Sequence, residues 1–336
     1  YDSWVLQYYH EVQAASVTKQ FSHEGVPRDA GVIAMSVHGG EINSGLAVSC
    51  GLAPQMSRVD TRTMAIWAVD EAVRNAVCAG ADPERMAMVD NFCWPDSVQS
   101  SKNPDGPWKL AQLVRAAEGM SEICVSYGLP LVSGKDSMKN DAHLKSPQGE
   151  TLKISALPTL LMTCIAHVPD IKFAAPSSPD EADLVVAMLP AINPLTATTL
   201  AQYVKIKTEI PVDPDFNILM GRYRQFHSAM KRGFINSAHD VSEGGLLTAV
   251  AEMSMGTHGI SLKMTRATTE ELFGEGPGMV VFTASSANMS EVEKLIPGLK
   301  RIGTTTTAPG LKLQTDTENF DWDVETLRRA HKGLKK

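Results

Sequence analysis

The chain has 336 residues, a net charge of −7 and 43% hydrophobic residues, with a mean hydropathy of −0.11. That length suggests two domains of ~150 residues each, and the lack of any apolar run of roughly 18 residues argues against a membrane span. No basic cluster stands out, so nucleic acid is a poor candidate partner, because binding a phosphate backbone needs a concentrated cationic face.

The opening residues, YDSWVLQYYHE, are acidic and aromatic where a signal peptide would be basic and then apolar. The abrupt start at Tyr1 suggests a piece of a longer polypeptide. GVIAMSV (31–37) reads as a buried strand, and Thr61 to Ala79 as a helix stopped by Gly80. MAMVDNF (86–92) reads as a strand. Trp108 to Tyr127 reads as a helix, with Leu110, Leu113, Val114, Ala117, Met120, Ile123 and Cys124 at helical spacing and Gly128 at its end. LPLVS (129–133) and ISALPTLLMTCIAHV (154–168) read as strands, the second long and buried.

Composition then shifts. FAAPSSPDEAD (173–183) is a Pro/Ser/acidic connector, which predicts domains at 1–172 and 173–336. The second domain restarts with a strand at DLVVAML (183–189). Helices follow at 217–232 and about 243–255, then a strand at 278–284 and helices at 290–296 and 324–332. Strands and helices mix in both parts, so the class is α/β or α+β. The five cysteines, Cys50, Cys78, Cys93, Cys124 and Cys164, are scattered in apolar sequence without a CxxC. Buried thiols in a reducing cytoplasm fit that pattern better than zinc or disulfides.

VSGKDSMKND (132–141) poses the first functional question. A Walker A loop needs G-x-x-x-x-G-K-[ST]. Here Gly128 lies six residues before Gly134, one too many, and Asp136 stands where Ser or Thr should hold Mg²⁺. What remains is a strand ending in a Gly turn that carries one cation, one anion and one hydroxyl.

The helix at 61–79 is apolar almost all round and should be buried, yet it carries Asp70, Glu71, Arg74 and Asn75. Asp70 and Arg74 are an i, i+4 pair that can face solvent. Glu71 and Asn75 lie one turn apart on the adjacent strip. Together they could supply oxygen ligands for Mg²⁺, or Glu71 could simply pair with an arginine. In AHDVSEGGLLTAVAEM (238–253), Ser242 stands near a helix N-terminus, where N–H groups favour an anion or a plain cap. Gly244 and Gly245 would let a phosphate approach closely. Asp29 sits at the mouth of a strand, a usual ligand position in α/β folds, though turn formers also occur there. Were Asp29, Glu71 and Asp240 to converge, each like-charge pair ~4 Å apart would repel by ~4 kcal/mol at an effective dielectric near ~20. A bound cation would then be required, which predicts a Mg²⁺ site between the two domains that holds a nucleotide phosphate.

YYHEVQ (8–13), RDAGV (28–32), DEAVRNAVCAGADP (70–83), VDNFCWPD (89–96), VSGKDSMKND, AHDVSEGGLL (238–247) and LFGEGPG (272–278) together resemble the formylglycinamide ribonucleotide amidotransferase (FGAM synthase) family of purine biosynthesis. That family belongs to a wider group with the aminoimidazole ribonucleotide (AIR) synthetase-like fold. Each of its units has a β-rich N-terminal domain that pairs into a barrel and an α/β C-terminal domain. The resemblance implies the second of two tandem units. The first unit's catalytic histidine and the glutaminase domain lie outside the match, and no G-x-C-x-G nucleophile occurs here. The implied reaction converts formylglycinamide ribonucleotide, ATP and glutamine to formylglycinamidine ribonucleotide, ADP, phosphate and glutamate in the cytoplasm.

The resemblance places Mg²⁺ on Asp29, Glu71, Asn75 and Asp240. It places the ATP or ADP phosphates near Asp29, Asn75, Asp240, Ser242, Gly244 and Gly245. Gly134, Lys135, Asp136 and Ser137 become a ligand-facing turn near the substrate's phosphate or the inter-unit cleft. The expected partners are the first synthetase unit and a glutaminase domain or subunit, with a homodimer through the first domain as another pairing. Two alternatives are a purely structural nucleotide-binding module and a self-standing ATP-dependent kinase or synthetase of the same superfamily.

Overall fold

The computed structural model describes residues 16–18, 26, 28–35, 43–189, 191, 194–204, 206 and 209–333. YYHEVQ lies outside them, as does the end of the strand expected at 31–37.

The first half is built on a six-stranded sheet in the order β1-β2-β3-β8-β4-β5. Its strands are β1 (Ser16–Thr18), β2 (Ala30–Ala34), β3 (Gly45–Gly51), β4 (Met86–Cys93), β5 (Leu131–Ser137) and β8 (Thr159–Val168). Every neighbouring pair is antiparallel except β4–β5. Among the described residues the sheet is open, with β5 at one edge. β6 (Asp141–Lys145) and β7 (Thr151–Ser155) form a separate hairpin. The long strand expected over 154–168 is therefore two strands, interrupted at Ala156-Leu157-Pro158, because proline cannot donate to a ladder.

β8 shows why one face of this sheet is core. Leu160, Met162, Cys164, Ala166 and Val168 are buried while the residues between them are partly open, the two-residue period of a strand packed on one side. The buried face carries helix α1 (Thr61–Cys78). A Cβ on Gly51 would stand 2.2 Å from the Ala68 carbonyl oxygen, so helix and strand meet backbone to backbone. Asp60 caps α1, accepting from the Thr63 N–H at 2.9 Å. Helix α2 (Gly106–Tyr127) lies on α1 and ends at Gly128 in the left-handed conformation, as expected. Of its predicted apolar positions, Met120, Ile123 and Cys124 are buried, while Leu110 and Val114 face outward. The opposite sheet face is left half-open, with Val48, Ile165 and Ala87 aligned across β3, β8 and β4.

The second half has a seven-stranded sheet in the order β10-β12-β9-β13-β11-β14-β15. Its strands are β9 (Val185–Leu189), β10 (Ser237–Asp240), β11 (Gly259–Lys263), β12 (Val280–Ala284), β13 (Lys300–Thr306), β14 (Gly310–Gln314) and β15 (Asn319–Asp323). Only β11–β14 is parallel, so the class is α+β. Its helices are α3 (Phe216–Lys231), α4 (Gly245–Met253), α5 (Thr269–Phe273), α6 (Met289–Leu295) and α7 (Val324–His331).

The two halves share a core. One cluster of buried side chains runs from Met64, Val69 and Val73 of α1 through Tyr223 and Phe226 of α3 to Phe282 of β12. β10 is the edge strand that meets α1. No helix among the described residues is long and apolar enough to cross a membrane. All five cysteines are free; Cys78, Cys124 and Cys164 are buried, whereas Cys50 is exposed.

Candidate nucleotide and metal site

Residues from both halves converge at the C-terminal end of β10. Asp29, one residue before β2, meets His239 and Asp240, and their ligand atoms lie within 4.8 Å of one another. The Asp240 N–H donates to Asp29 Oδ2 at 3.3 Å, and burial pushes the nearby Cys78 thiol well up. Like charges that close repel by about 3–4 kcal/mol at an effective dielectric near ~20. The cluster therefore needs compensation.

Two side chains supply it, and here the structure corrects the argument that only a bound cation could. Arg74 pairs with Asp70 and places Nη2 3.3 Å from Asp240 Oδ2. The His239 ring sets Nδ1 2.5 Å from Asp29 Oδ1 and Nε2 3.0 Å from Glu252 Oε2. Burial works to lower the His239 pKa, and Asp29 and Glu252 outweigh it, raising it well above its ordinary value. Burial and Asp29 push Asp240 up, against Arg74 and His239. The Asp70–Arg74 pair is also corrected. It does not face solvent: Asp70 is 0% and Arg74 2% exposed, as a helix packed on every side demands.

Glu71 and Asn75 lie on the adjacent strip of α1. Glu71 Oε2 accepts from the Leu52 N–H at 2.8 Å. Burial and the nearby Asp240 push its carboxyl up to about 8. Asn75 Nδ2 donates to the Cys50 carbonyl at 2.9 Å, and its Oδ1 is buried without a hydrogen-bond partner among the described residues. Such an orphaned oxygen needs an explanation. Asp29 and Asp240 bring together carboxylate oxygens of the kind a hard divalent cation takes, so they fit Mg²⁺, whereas Glu71 is not among the ligand atoms that cluster with them.

Ser242 lies two residues before Gly244, the N-cap of α4, so it is not itself the cap. Gly244 and Gly245 have φ of +84° and +71°. They serve a left-handed entry to the helix rather than a regular first turn. The Gly244 N–H is taken by Glu275 Oε1 at 2.7 Å, which also accepts from the Thr199 N–H at 2.7 Å. Glu275 comes from LFGEGPG. A narrow cavity of about 40 Å³ is lined by Glu71, Arg74, Ser242 and Glu275 together with Trp67. Beside it, sharing Gln55 and Ala197, is a cavity of about 350 Å³ bordered by Arg58 and Thr196 to Thr198.

Gly134, Lys135, Asp136 and Ser137 do not form the expected turn. They are the second half of β5, paired with Asp90 to Cys93 of β4. Strand alternation sends Lys135 and Ser137 to one face and Asp136 to the other, so the four cannot wrap one phosphate. Lys135 Nζ donates to Ser137 Oγ at 2.7 Å. A Cβ on Gly134 would meet Asp90 Oδ1 at 2.5 Å, so that glycine makes room for a neighbouring carboxylate.

Sequence reasoning passed over His239, Glu252, Glu275 and the role of Arg74. For Arg74 the signal was available, because a charge on a helix with no polar face is buried with it. For His239 the signal was its place beside Asp240 in a short buried strand.

The N-terminal domain of AIR synthase related proteins matches residues 27–157, and the C-terminal domain matches residues 215–316. The chain belongs to the AIR synthase related family. Among solved structures, this AIR synthase related chain is similar to Thermotoga maritima PurL, solved with FGAR (15% identity, TM-score 0.65, 89% of this chain and 47% of that one). The same protein solved with ADP gives a TM-score of 0.62 at 15% identity, covering 89% of this chain and 46% of that one. Phosphoribosylformylglycinamidine synthase II from the same organism matches at 16% identity, with a TM-score of 0.64 over 89% of this chain and 46% of that one. A chain of the HypE–HypF complex matches at 13% identity with a TM-score of 0.59, over 88% of this chain and 93% of that one. At such identities the likeness is one of fold. The chain spans about half the length of the Thermotoga chains it matches.

Proposed function

We propose that this chain is the second AIR-synthase-like unit of an FGAM synthase and holds a magnesium nucleotide at the seam between its halves, which divide at 172/173. The observation that carries the reading is the convergence of Asp29 from the first half with Asp240 from the second. Asp29, Asp240, Glu71 and Asn75 would hold Mg²⁺, which would neutralise phosphate charge there. Ser242 would contact the phosphates, and the cavity of about 350 Å³ is within the range of small-molecule sites. Arg74 and His239 keep the acids together when no cation is bound. ADP in the related PurL structure supports a nucleotide, and FGAR in another supports formylglycinamide ribonucleotide as the substrate of the whole enzyme.

The first synthetase unit would dock on the half-open face of the six-stranded sheet, with Lys135 and Ser137 on edge strand β5 offering a cation and a hydroxyl to substrate phosphate. A glutaminase domain or subunit would supply ammonia, and the assembly would work in the cytoplasm. The test is direct. The purified chain is denatured, released nucleotide is identified by chromatography, and metal is measured alongside. Stoichiometric ADP and magnesium support the reading. An empty protein that also fails to bind MgADP on titration overturns it.

A second reading is a self-standing ATP-dependent enzyme of the same family. The near-complete coverage of the HypE–HypF chain favours it. ATP turnover by this chain alone would support that reading against the first.

A further inference from the structure

His239 is a buried side chain held at both ring nitrogens. It is 5% exposed, and both its ring nitrogens face carboxylates. Asp29 Oδ1 lies 2.5 Å from Nδ1, and Glu252 Oε2 lies 3.0 Å from Nε2. Asp240 Oδ1 is 3.5 Å from Nδ1. A carboxylate at each nitrogen fixes the ring's orientation, since turning it over would set carbon against an acceptor. Glu252 is itself held on its other oxygen, with His331 Nδ1 of α7 3.4 Å from Oε1. A continuous line of side chains thus runs from α7 through α4 and β10 to Asp29. Asp29 is the one member from the first half, and it stands outside any strand. Left alone, it would be pushed away from Asp240.

We propose that His239 is a positioning residue: its ring, anchored by Glu252, holds the Asp29 carboxylate in register with Asp240 across the seam between the halves. Partners of this kind, one step behind a metal ligand, typically carry a tenfold to hundredfold share of metal affinity. The readout below rests on the nucleotide reading, but the residue pairing does not.

The experiment measures ADP binding to the chain with Mg²⁺ and with EDTA, for wild type, Asp29→Asn, His239→Gln and the double variant. Glu252→Gln is added in case His239→Gln does not fold. The expected result is that His239→Gln weakens MgADP binding by about tenfold or more and leaves ADP binding in EDTA unchanged. The double variant should be no weaker than Asp29→Asn, because residues acting as one unit are not additive. Glu252→Gln should show a smaller loss, again only with Mg²⁺. Equal losses with and without Mg²⁺, or losses that add in the double variant, would overturn the proposal and leave the nucleotide reading intact. Absence of MgADP binding by wild type would overturn the nucleotide reading instead. The urea midpoints of the same proteins without ligand then decide the pairing: non-additive shifts support it and additive shifts overturn it.

Discussion

The Tyr223 hydroxyl donates to Asp70 Oδ1 at 2.7 Å, across 153 positions of sequence. Tyr127 of α2 donates to the same oxygen at 2.7 Å, the Gly278 N–H reaches Oδ2 at 3.1 Å, and Arg74 completes the set. A fully buried carboxylate thus gathers four donors from four segments of both halves.

Removing a partner from a buried ion pair costs about 3–5 kcal/mol, and a hydrogen bond to a charged group contributes about 1.5–3 kcal/mol. Asp70→Asn should therefore lower stability by several kcal/mol and Tyr223→Phe by about 1–3 kcal/mol. Urea denaturation measures both. An Asp70→Asn protein with an unchanged midpoint would show that Asp70 is not the tie between the halves.

Asp240→Asn and Glu71→Gln should each weaken MgADP binding by tenfold or more in isothermal titration. Without nucleotide, the stability of Glu71→Gln relative to wild type should depend on pH. The folded pKa of Glu71, about 8, lies above its ordinary value of 4.5. Its contribution to stability is thus full below 4.5 and lost as pH rises through 8. Glu71→Gln keeps the uncharged form at every pH. Relative to wild type it should gain thermal stability between pH 6 and pH 9. A constant difference across that range would sink the assignment.

Gly245→Ala should destabilise more than Gly244→Ala. Both glycines have positive φ. A Cβ on Gly245 would strike the Phe273 backbone at 2.6 Å, whereas on Gly244 it would meet the Thr248 side chain, which can rotate. Losses of about 1 kcal/mol or more are expected, since the strain alone costs that much. Equal urea midpoints for wild type and Gly245→Ala would contradict the left-handed entry to α4.

His227 of α3 is buried, and neither ring nitrogen has a hydrogen-bond partner among the described residues. Burial lowers its pKa below 6.5. Its contribution to stability is present above 6.5 and lost as pH falls below that value. Replacing it with leucine should improve stability relative to wild type more at pH 5 than at pH 8. Matched urea titrations at the two values would show it, and a pH-independent difference would refute it.

The parts of the fold written in apolar periodicity were readable. Helices α1 and α2 and strands β4, β9 and β12 carry continuous or helical apolar patterns, and they lie within two residues of the expected positions. Strands β3 (GLAVSCG), β10 (SAHD) and β13 (KRIGTTT) were not readable. Small or polar residues line them, and their pairing is set by neighbours distant in sequence. The candidate site divides the same way. Asp29 was suggested by its place at the mouth of a strand and Asp240 by the AHDVSEGG run before a helix. That GKDS would extend a strand was hidden, because Gly and Asp are poor strand formers and only pairing with β4 overrides that preference.

Helix α1 is enclosed almost all round by the sheet, α2, α3 and β10, with only Arg62 and Glu71 partly open. A helix buried in a core that both halves share cannot leave one half without opening the other. Unfolding should therefore proceed as one cooperative transition despite two sheets. Protease cleavage within 173–183 should leave two fragments that stay together through gel filtration and separate only on denaturation.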